Sequence, residues 1–364
     1  MKSKVKLTLI VFGFLSFLTV ISQTKSNQYY CTPCNASCDV KSFEKPGICD
    51  VCNMPIISLT DEELKLSIAN SGVPKPLNLK YNEWEELGSS PYRASRLWIK
   101  NYKRKYVQIE SDGIYLSGAL YYPKIDNNKT IPAIILAHGS GPTTQYNMSY
   151  YTYLGLKMGL AVLVCDKRGV GNSQGEYDRT LLNSKNVFTD LASDLVAQLK
   201  WLKTQAEIDI TKIGLMGPSQ AGWIMPIAAK KDDSFSFIIS LSGPAVSLGE
   251  ENYFSALTNE NHNPPGISIL EADKKLATFN GDHIYQTAPV LKMLDTKILW
   301  QFGTHDRSVP VDLSIRRLKQ MNKENFDIKV IQDIGHGSAN IYTGEYEDFV
   351  QILKPWLLKI GILE

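Results

Sequence analysis

The sequence predicts an α/β protein built on a doubly wound, mostly parallel sheet, and three observations carry that reading. Short, mostly apolar runs recur at 131–137, 160–165, 213–216, 235–241 and 298–303, the pattern of strands covered on both faces. Phe188, Leu191, Leu195, Leu199 and Leu202 fall three or four residues apart, the period of a helix lying on a sheet. The run at 213–216 passes through small residues into a helix-compatible stretch at 224–230. With 364 residues, the chain can bury one large core and still carry smaller parts.

The parts follow in chain order. Lys2, Lys4 and Lys6 precede an apolar run at 7–21, with Val20 and Ser22 just ahead of polar Gln23 and Thr24. A charged start, a short apolar core and small or short residues near a cut predict a cleaved signal peptide over 1–23, hence export to the periplasm or beyond. An apolar run of about 15 residues is short for a bilayer, so no stable membrane span is expected after cleavage.

Residues 28–57 read as a small cysteine-rich module. Five of the six cysteines lie there: Cys31, Cys34, Cys38, Cys49 and Cys52. Cys31 with Cys34, and Cys49 with Cys52, have the C-x-x-C spacing, and 14 residues separate the pairs, near the gap of a zinc ribbon. Two such knuckles would close a tetrahedral thiolate site, with Cys38 and Met54 as soft extra donors. Disulfides are the other reading, because exported cysteines usually pair; five thiols would leave one over. Lys45-Pro46-Gly47 before Cys49, and Met54-Pro55 after Cys52, resemble the short heavy-metal-binding modules attached to some bacterial exported proteins. That resemblance implies Cys31, Cys34, Cys49 and Cys52 as ligands of zinc or another soft metal, in a structural or accessory role.

Residues 58–104 read as a linker and helical extension. Thr60 caps a predicted helix ending near Gly72, and Val73-Pro74-Lys75-Pro76 breaks it. The main domain spans 105–364. Segments 106–110 and 114–123 flank Asp112-Gly113 and predict a hairpin. The strand at 131–137 delivers His138-Gly139-Ser140-Gly141-Pro142, and the one at 160–165 delivers a second Gly-rich loop at 166–175. On the helix at 188–201, Asp190 and Asp194 read as solvated. Residues 249–295 lack a strand pattern and predict a small helical cap; Tyr253, Phe254, His262, His283 and Tyr285 are its candidates for shaping a pocket.

Three loops carry chemistry. Gly217-Pro218-Ser219-Gln220-Ala221 sets a serine on a tight strand-to-helix turn, with Ala221 where such turns usually place glycine and Gly222 next. Asp306 follows the strand at 298–303, and His336 follows the one at 326–331. A serine hydroxyl is a poor nucleophile at neutral pH and needs a base, for which imidazole has the suitable intrinsic pKa. A carboxylate then fixes the imidazole tautomer. Asp333 and Asp282 are rival acids that lack a preceding buried strand, and His305 is a rival base on the acid's own loop. The backbone N–H of Gln220, directly after the serine, and that of Ser140 or Gly139 are the expected oxyanion donors. His138 reads as a structural hydrogen-bonder and Cys165 as an inert core thiol.

The order serine, acid, histidine, with Ser219 on its turn, resembles the α/β-hydrolase superfamily over roughly residues 105–364. Within it, the likeness is to the group of serine esterases and prolyl-oligopeptidase-like enzymes. Asp166-Lys167-Arg168-Gly169 resembles the superfamily's aspartate–arginine–glycine loop, where Asp166 and Arg168 would tie loops together and Ser173 would not be the nucleophile. The resemblance implies Ser219, His336 and Asp306 as the catalytic groups of a hydrolase that cleaves carboxylic esters through an acyl-enzyme, with no cofactor for catalysis. A prolyl-oligopeptidase-like aminopeptidase or an acyl thioesterase uses the same triad. No propeller-like repeat precedes the domain, which argues against a large oligopeptidase. A metal-binding protein with a degenerate hydrolase domain is the reading from a different class. The expected partner is a small ester or peptide. Thirty-nine basic against 37 acidic residues give a net charge of +2, and no basic tract is interleaved with aromatics, so nucleic acid is excluded.

Overall fold

The computed structural model describes residues 102–124, 130–178, 180–258, 266–338, 340–342 and 348–364, with short pieces at 29–31, 42–45, 47–48 and 55–58 and single positions 95 and 99. Strands β1 (Tyr29–Cys31), β2 (Ser42–Phe43), β3 (Gly47–Ile48) and β4 (Pro55–Ser58) form a four-stranded antiparallel sheet in the order β2-β1-β4-β3. Cys31 sits on β1, whereas Cys34, Cys49 and Cys52 lie outside the described residues, as do the signal peptide and the expected helix at 60–72. Among the described residues no cluster of His, Cys, Asp or Glu could hold a metal, and no helix is long and apolar enough to cross a membrane.

The large sheet begins with the hairpin β5 (Arg104–Ser111) and β6 (Ile114–Tyr121). Its turn is Asp112 and Gly113, at φ 49° and 81°, left-handed values that suit a two-residue hairpin loop and favour glycine. Then come β7 (Ile131–Leu136), β8 (Ala161–Cys165), β9 (Ile208–Pro218), β10 (Phe237–Leu241), β11 (Lys297–Gly303) and β12 (Phe326–Ile331). The spatial order is β12-β11-β10-β9-β7-β8-β6-β5. From β8 to β12 all neighbours are parallel, and β6 runs antiparallel to both β8 and β5.

The mostly apolar strands follow from two cores. Ile135 faces the core beneath α2 (Ser184–Leu202) and α3 (Ala221–Lys231), while Ile134 faces the one beneath α1 (Ser149–Met158) and α8 (Phe349–Lys359). Both isoleucines are wholly buried, because successive strand side chains point to opposite faces and both faces are covered. Between β10 and β11 the chain forms α4 (Leu248–Thr258), α5 (Ile269–Leu276) and α6 (Ala288–Lys292). Phe254, Ala272 and Leu276 pack into a small core of their own there. Helix α7 (Val311–Gln320) follows β11.

One expectation is corrected. Asp194 on α2 is not solvated but 4% exposed; it takes two hydrogen bonds from Arg168, at 2.7 and 2.8 Å, and one from Ser111 Oγ at 2.7 Å. A helix-period pattern cannot see a loop from β8 and a strand end from β5 arriving on the same helix face. Asp190 is exposed, with Arg168 Nη1 at 3.7 Å.

Candidate active site

Every loop singled out for chemistry leaves the carboxyl end of a parallel strand, the edge at which open α/β sheets gather their sites. Ser219 follows β9 directly and has φ 53°. This left-handed conformation is costly for a residue with a side chain and is held by its surroundings. Its N–H donates to Leu241 O at 3.0 Å, and its carbonyl accepts from Gly222 N at 2.8 Å, so β10 and α3 fix the turn from both sides. Gly217 has no room for a side chain: a Cβ there would lie 2.3 Å from Ala137 O and 2.6 Å from Ala221 Cβ. Gln220 caps α3, so its N–H belongs to the amides that have no carbonyl within the helix to bond.

Asp306 follows β11 and is 1% exposed. Its Oδ1 accepts from the N–H groups of Ser308 at 2.9 Å and Val309 at 2.8 Å, and its Oδ2 lies 2.9 Å from His336 Nδ1. A carboxylate only accepts, so Nδ1 donates and Nε2 carries the lone pair of the neutral ring. The structure thus brings Asp306 and His336 together. The rivals are occupied elsewhere: Asp333 lies 3.7 Å from His305 Nδ1, and Asp282 accepts from Ile284 N at 2.8 Å.

The loop after β7 lies against the serine. A Cβ on Gly139 would come within 3.7 Å of Ser219 Cβ. His138 is inside the protein, its Nε2 donating to Cys165 O at 2.6 Å while Nδ1 accepts from Thr143 Oγ1 at 2.8 Å. Burial first, then the charge of Lys167, push the imidazole pKa down to about 3, so it stays a neutral strut. Asp166 accepts from the N–H groups of Gln145 and Asn172 at 2.7 and 2.9 Å, tying the two Gly-rich loops together. Cys165 is buried, and desolvation raises its thiol pKa well above the ordinary value, which suits an inert core thiol.

Ser219, Gln220, Ser140 and Gly141 border a cavity of ≈ 240 Å³ whose walls include Tyr177, Phe188, Trp223 and Leu248. Phe188 and Trp223 stack at 5.5 Å, and Tyr285 meets Phe188 edge-on at 5.3 Å. Asp178 and Glu251 also border the cavity, as does Asn252. The sequence reading missed most of this wall. Phe188 reads there as a core position on a helix, Trp223 is given no role, and Tyr177 lies in a loop without periodicity. Of the cap candidates, Phe254 is wholly buried in the cap core, Tyr285 stands behind Phe188, Tyr253 packs on Phe279, and His283 bonds Ser247 Oγ at 2.7 Å. His262 lies outside the described residues.

Residues 144–359 match the prolyl oligopeptidase family. Among curated proteins, the quorum-quenching protein AidA of Acinetobacter baumannii is 28% identical over 134 residues, 37% of this chain and 42% of that protein. The chain spans under half the length of the curated relatives it matches. Among solved structures, the esterase Pf2001 of Pyrococcus furiosus superposes with a TM-score of 0.51 at 18% identity, over 71% of this chain and 90% of that one. The acylaminoacyl peptidase of Pyrococcus horikoshii gives 0.52 at 18% identity, over 72% and 42%. At these identities the structural likeness is one of fold.

Proposed function

The chain belongs to the prolyl oligopeptidase family of serine hydrolases, and from that premise we propose that it cleaves small carboxylic esters with Ser219 as nucleophile, His336 as base and Asp306 as its orienting acid. The observation that carries this reading is the Asp306–His336 pair at 2.9 Å, on the same sheet edge as a serine held at φ 53° over a cavity.

In this reading His336 Nε2 takes the Ser219 proton as Oγ attacks the ester carbonyl carbon. Asp306, already pinned by two backbone N–H groups, stabilises the imidazolium without taking its proton. The oxyanion is met by the N–H of Gln220 and one from the 139–140 segment, worth on the order of 3 kcal/mol per donor. Collapse breaks the ester bond, and His336 returns the proton to the leaving alcohol. Water, activated by the same imidazole, then releases the acid.

The size of the cavity favours a small acyl group, which would lie on its apolar side against Phe188, Trp223 and Leu248; drug-sized ligands take roughly 300 Å³ or more. Asp178 and Glu251 favour a second reading, an aminoacyl substrate whose ammonium group these carboxylates would attract. A panel of short-chain nitrophenyl esters and aminoacyl nitroanilides separates the two. The proposal expects kcat/KM to be highest for acetyl to butyryl esters and at least a hundredfold lower for the anilides. Faster turnover of the anilides would overturn the ester reading in favour of the aminopeptidase. Export, the other part of the proposal, is tested by finding the mature protein, cut near residue 23, outside the cytoplasm.

A further inference from the structure

We infer that Lys167 is the positioning residue of the oxyanion site: by holding the Gly139 and Gly141 carbonyls it turns the Ser140 N–H toward the reacting centre. This rests on the reading of Ser219 as nucleophile and deepens it. Lys167 follows β8 and is 3% exposed. Its Nζ donates to Gly139 O at 2.7 Å, to Gly141 O at 2.8 Å and to Tyr177 Oη at 3.3 Å. The ammonium also lies 4.3 Å from the centre of the Tyr177 ring, an attractive placement for a desolvated cation. A buried ammonium is costly unless its donors are used, and here most of that capacity goes to two carbonyls of one short loop.

The consequence is geometric. In a trans peptide the C=O and the following N–H point in opposite directions. With Gly139 O drawn to Nζ, the Ser140 N–H is aimed away from Lys167. Ser140 borders the cavity together with Ser219, and the Gly139 position lies against the Ser219 Cβ. The second anchor, Gly141 O, precedes Pro142, whose nitrogen has no hydrogen to offer. The clamp therefore leaves Ser140, rather than Gly139, as the N–H that its peptide orientation presents. Gly141 itself stands at φ 86°, a left-handed turn that a side chain would resist. The neighbouring His138 is fixed by Thr143 and Cys165 and neutral, so Lys167 is the cation that shapes this loop.

The test compares Lys167→Met, Ser140→Pro and the double variant with the wild-type full chain on a short-chain ester. Loss or misaiming of one oxyanion donor lowers kcat by about 10²–10³. Each single variant is expected to lose kcat on that scale with KM within threefold, and affinity for an alkyl boronate, which mimics the tetrahedral state, is expected to fall in parallel. The double variant is expected to be no slower than the worse single, because both changes remove the same interaction. Wild-type kcat in a folded Lys167→Met, or fully additive losses in the double, would overturn the inference. If Lys167→Met does not fold, Ser140→Pro decides, since a wild-type kcat there removes the donor the clamp is argued to aim. Fluorophosphonate labelling of the wild type separates this failure from failure of the serine-hydrolase reading itself.

Discussion

At the scale of single residues, the serine turn explains its own departure from the usual motif. Ala221 is wholly buried with its Cβ beside Gly217, and the turn accepts it because Gly217 supplies the missing volume. The demand for no side chain falls instead on Gly222, where a Cβ would lie 2.7 Å from Gly243 Cα and 2.9 Å from Gly243 C. Both neighbours are backbone and neither can rotate away. Ala221→Gly is therefore expected to keep kcat within about threefold and to cost no more than ~1 kcal/mol of stability. Gly222→Ala is expected to cost upwards of ~2 kcal/mol as overpacking, measured by thermal or urea unfolding. Equal stability losses in the two variants would show that the glycine requirement has been placed wrongly. The letters Gly217, Ser219 and Ala221 were legible in the sequence. That Gly222 takes over the close approach was not, because its neighbour Gly243 lies 21 residues away on the loop after β10.

At the scale of elements, the inner parallel strands were legible because burial on both faces leaves them mostly apolar, and the acid loop was legible because it follows one of them. The histidine loop follows β12, an edge strand with no fully buried residue that carries Asp327 and Lys329, and was legible from its strand pattern alone. The cap was legible only as a gap in the strand pattern. Part of its attachment is ionic and invisible to periodicity: Arg317 on α7 grips Glu250 on α4 through two contacts, at 2.5 and 2.6 Å, beside hydrogen bonds from Arg307 to the Thr258, Gly266 and Ile267 carbonyls. Burial pushes the Glu250 pKa up, but the hydrogen bonds from Arg317 and Ser247 outweigh it and hold the group below its ordinary value. Asp273 on α5 goes the other way. Burial first and the charge of Asp312 second raise its pKa to about 6, against a smaller opposing effect of Arg316. Because the folded pKa lies above the ordinary 3.8, the folded state binds the extra proton between about pH 4 and 6. This group's contribution is therefore most favourable below pH 4 and is lost as pH rises through 6. Asp273→Asn, which mimics the protonated form, is expected to raise Tm at pH 8 and to leave it unchanged near pH 4. A Tm gain of the same size at both pH values would contradict that sign.

At the scale of the whole molecule, the sheet gathers at one edge what the sequence scatters over nearly 200 residues, from Gly139 to His336. The serine-first order and the Asp306–His336 contact belong to that edge, and the family match over 144–359 runs from just after the Gly139 loop to the end of the last helix. What the sequence could not show is the wall of the cavity and the loop clamp of Lys167. Both depend on which non-adjacent loops meet, and a lysine inside an aspartate–arginine–glycine segment has no periodicity to mark it. The claim at the centre of all this is that Ser219 is activated by His336. The most direct measurement is labelling of the purified protein with a fluorophosphonate probe beside Ser219→Ala and His336→Ala, each shown to be folded. The account predicts a labelled wild type, no label on Ser219→Ala, and labelling of His336→Ala slowed by at least a thousandfold, on the scale of a lost triad member. An unlabelled wild type, or a His336→Ala variant labelled at the wild-type rate, would contradict it.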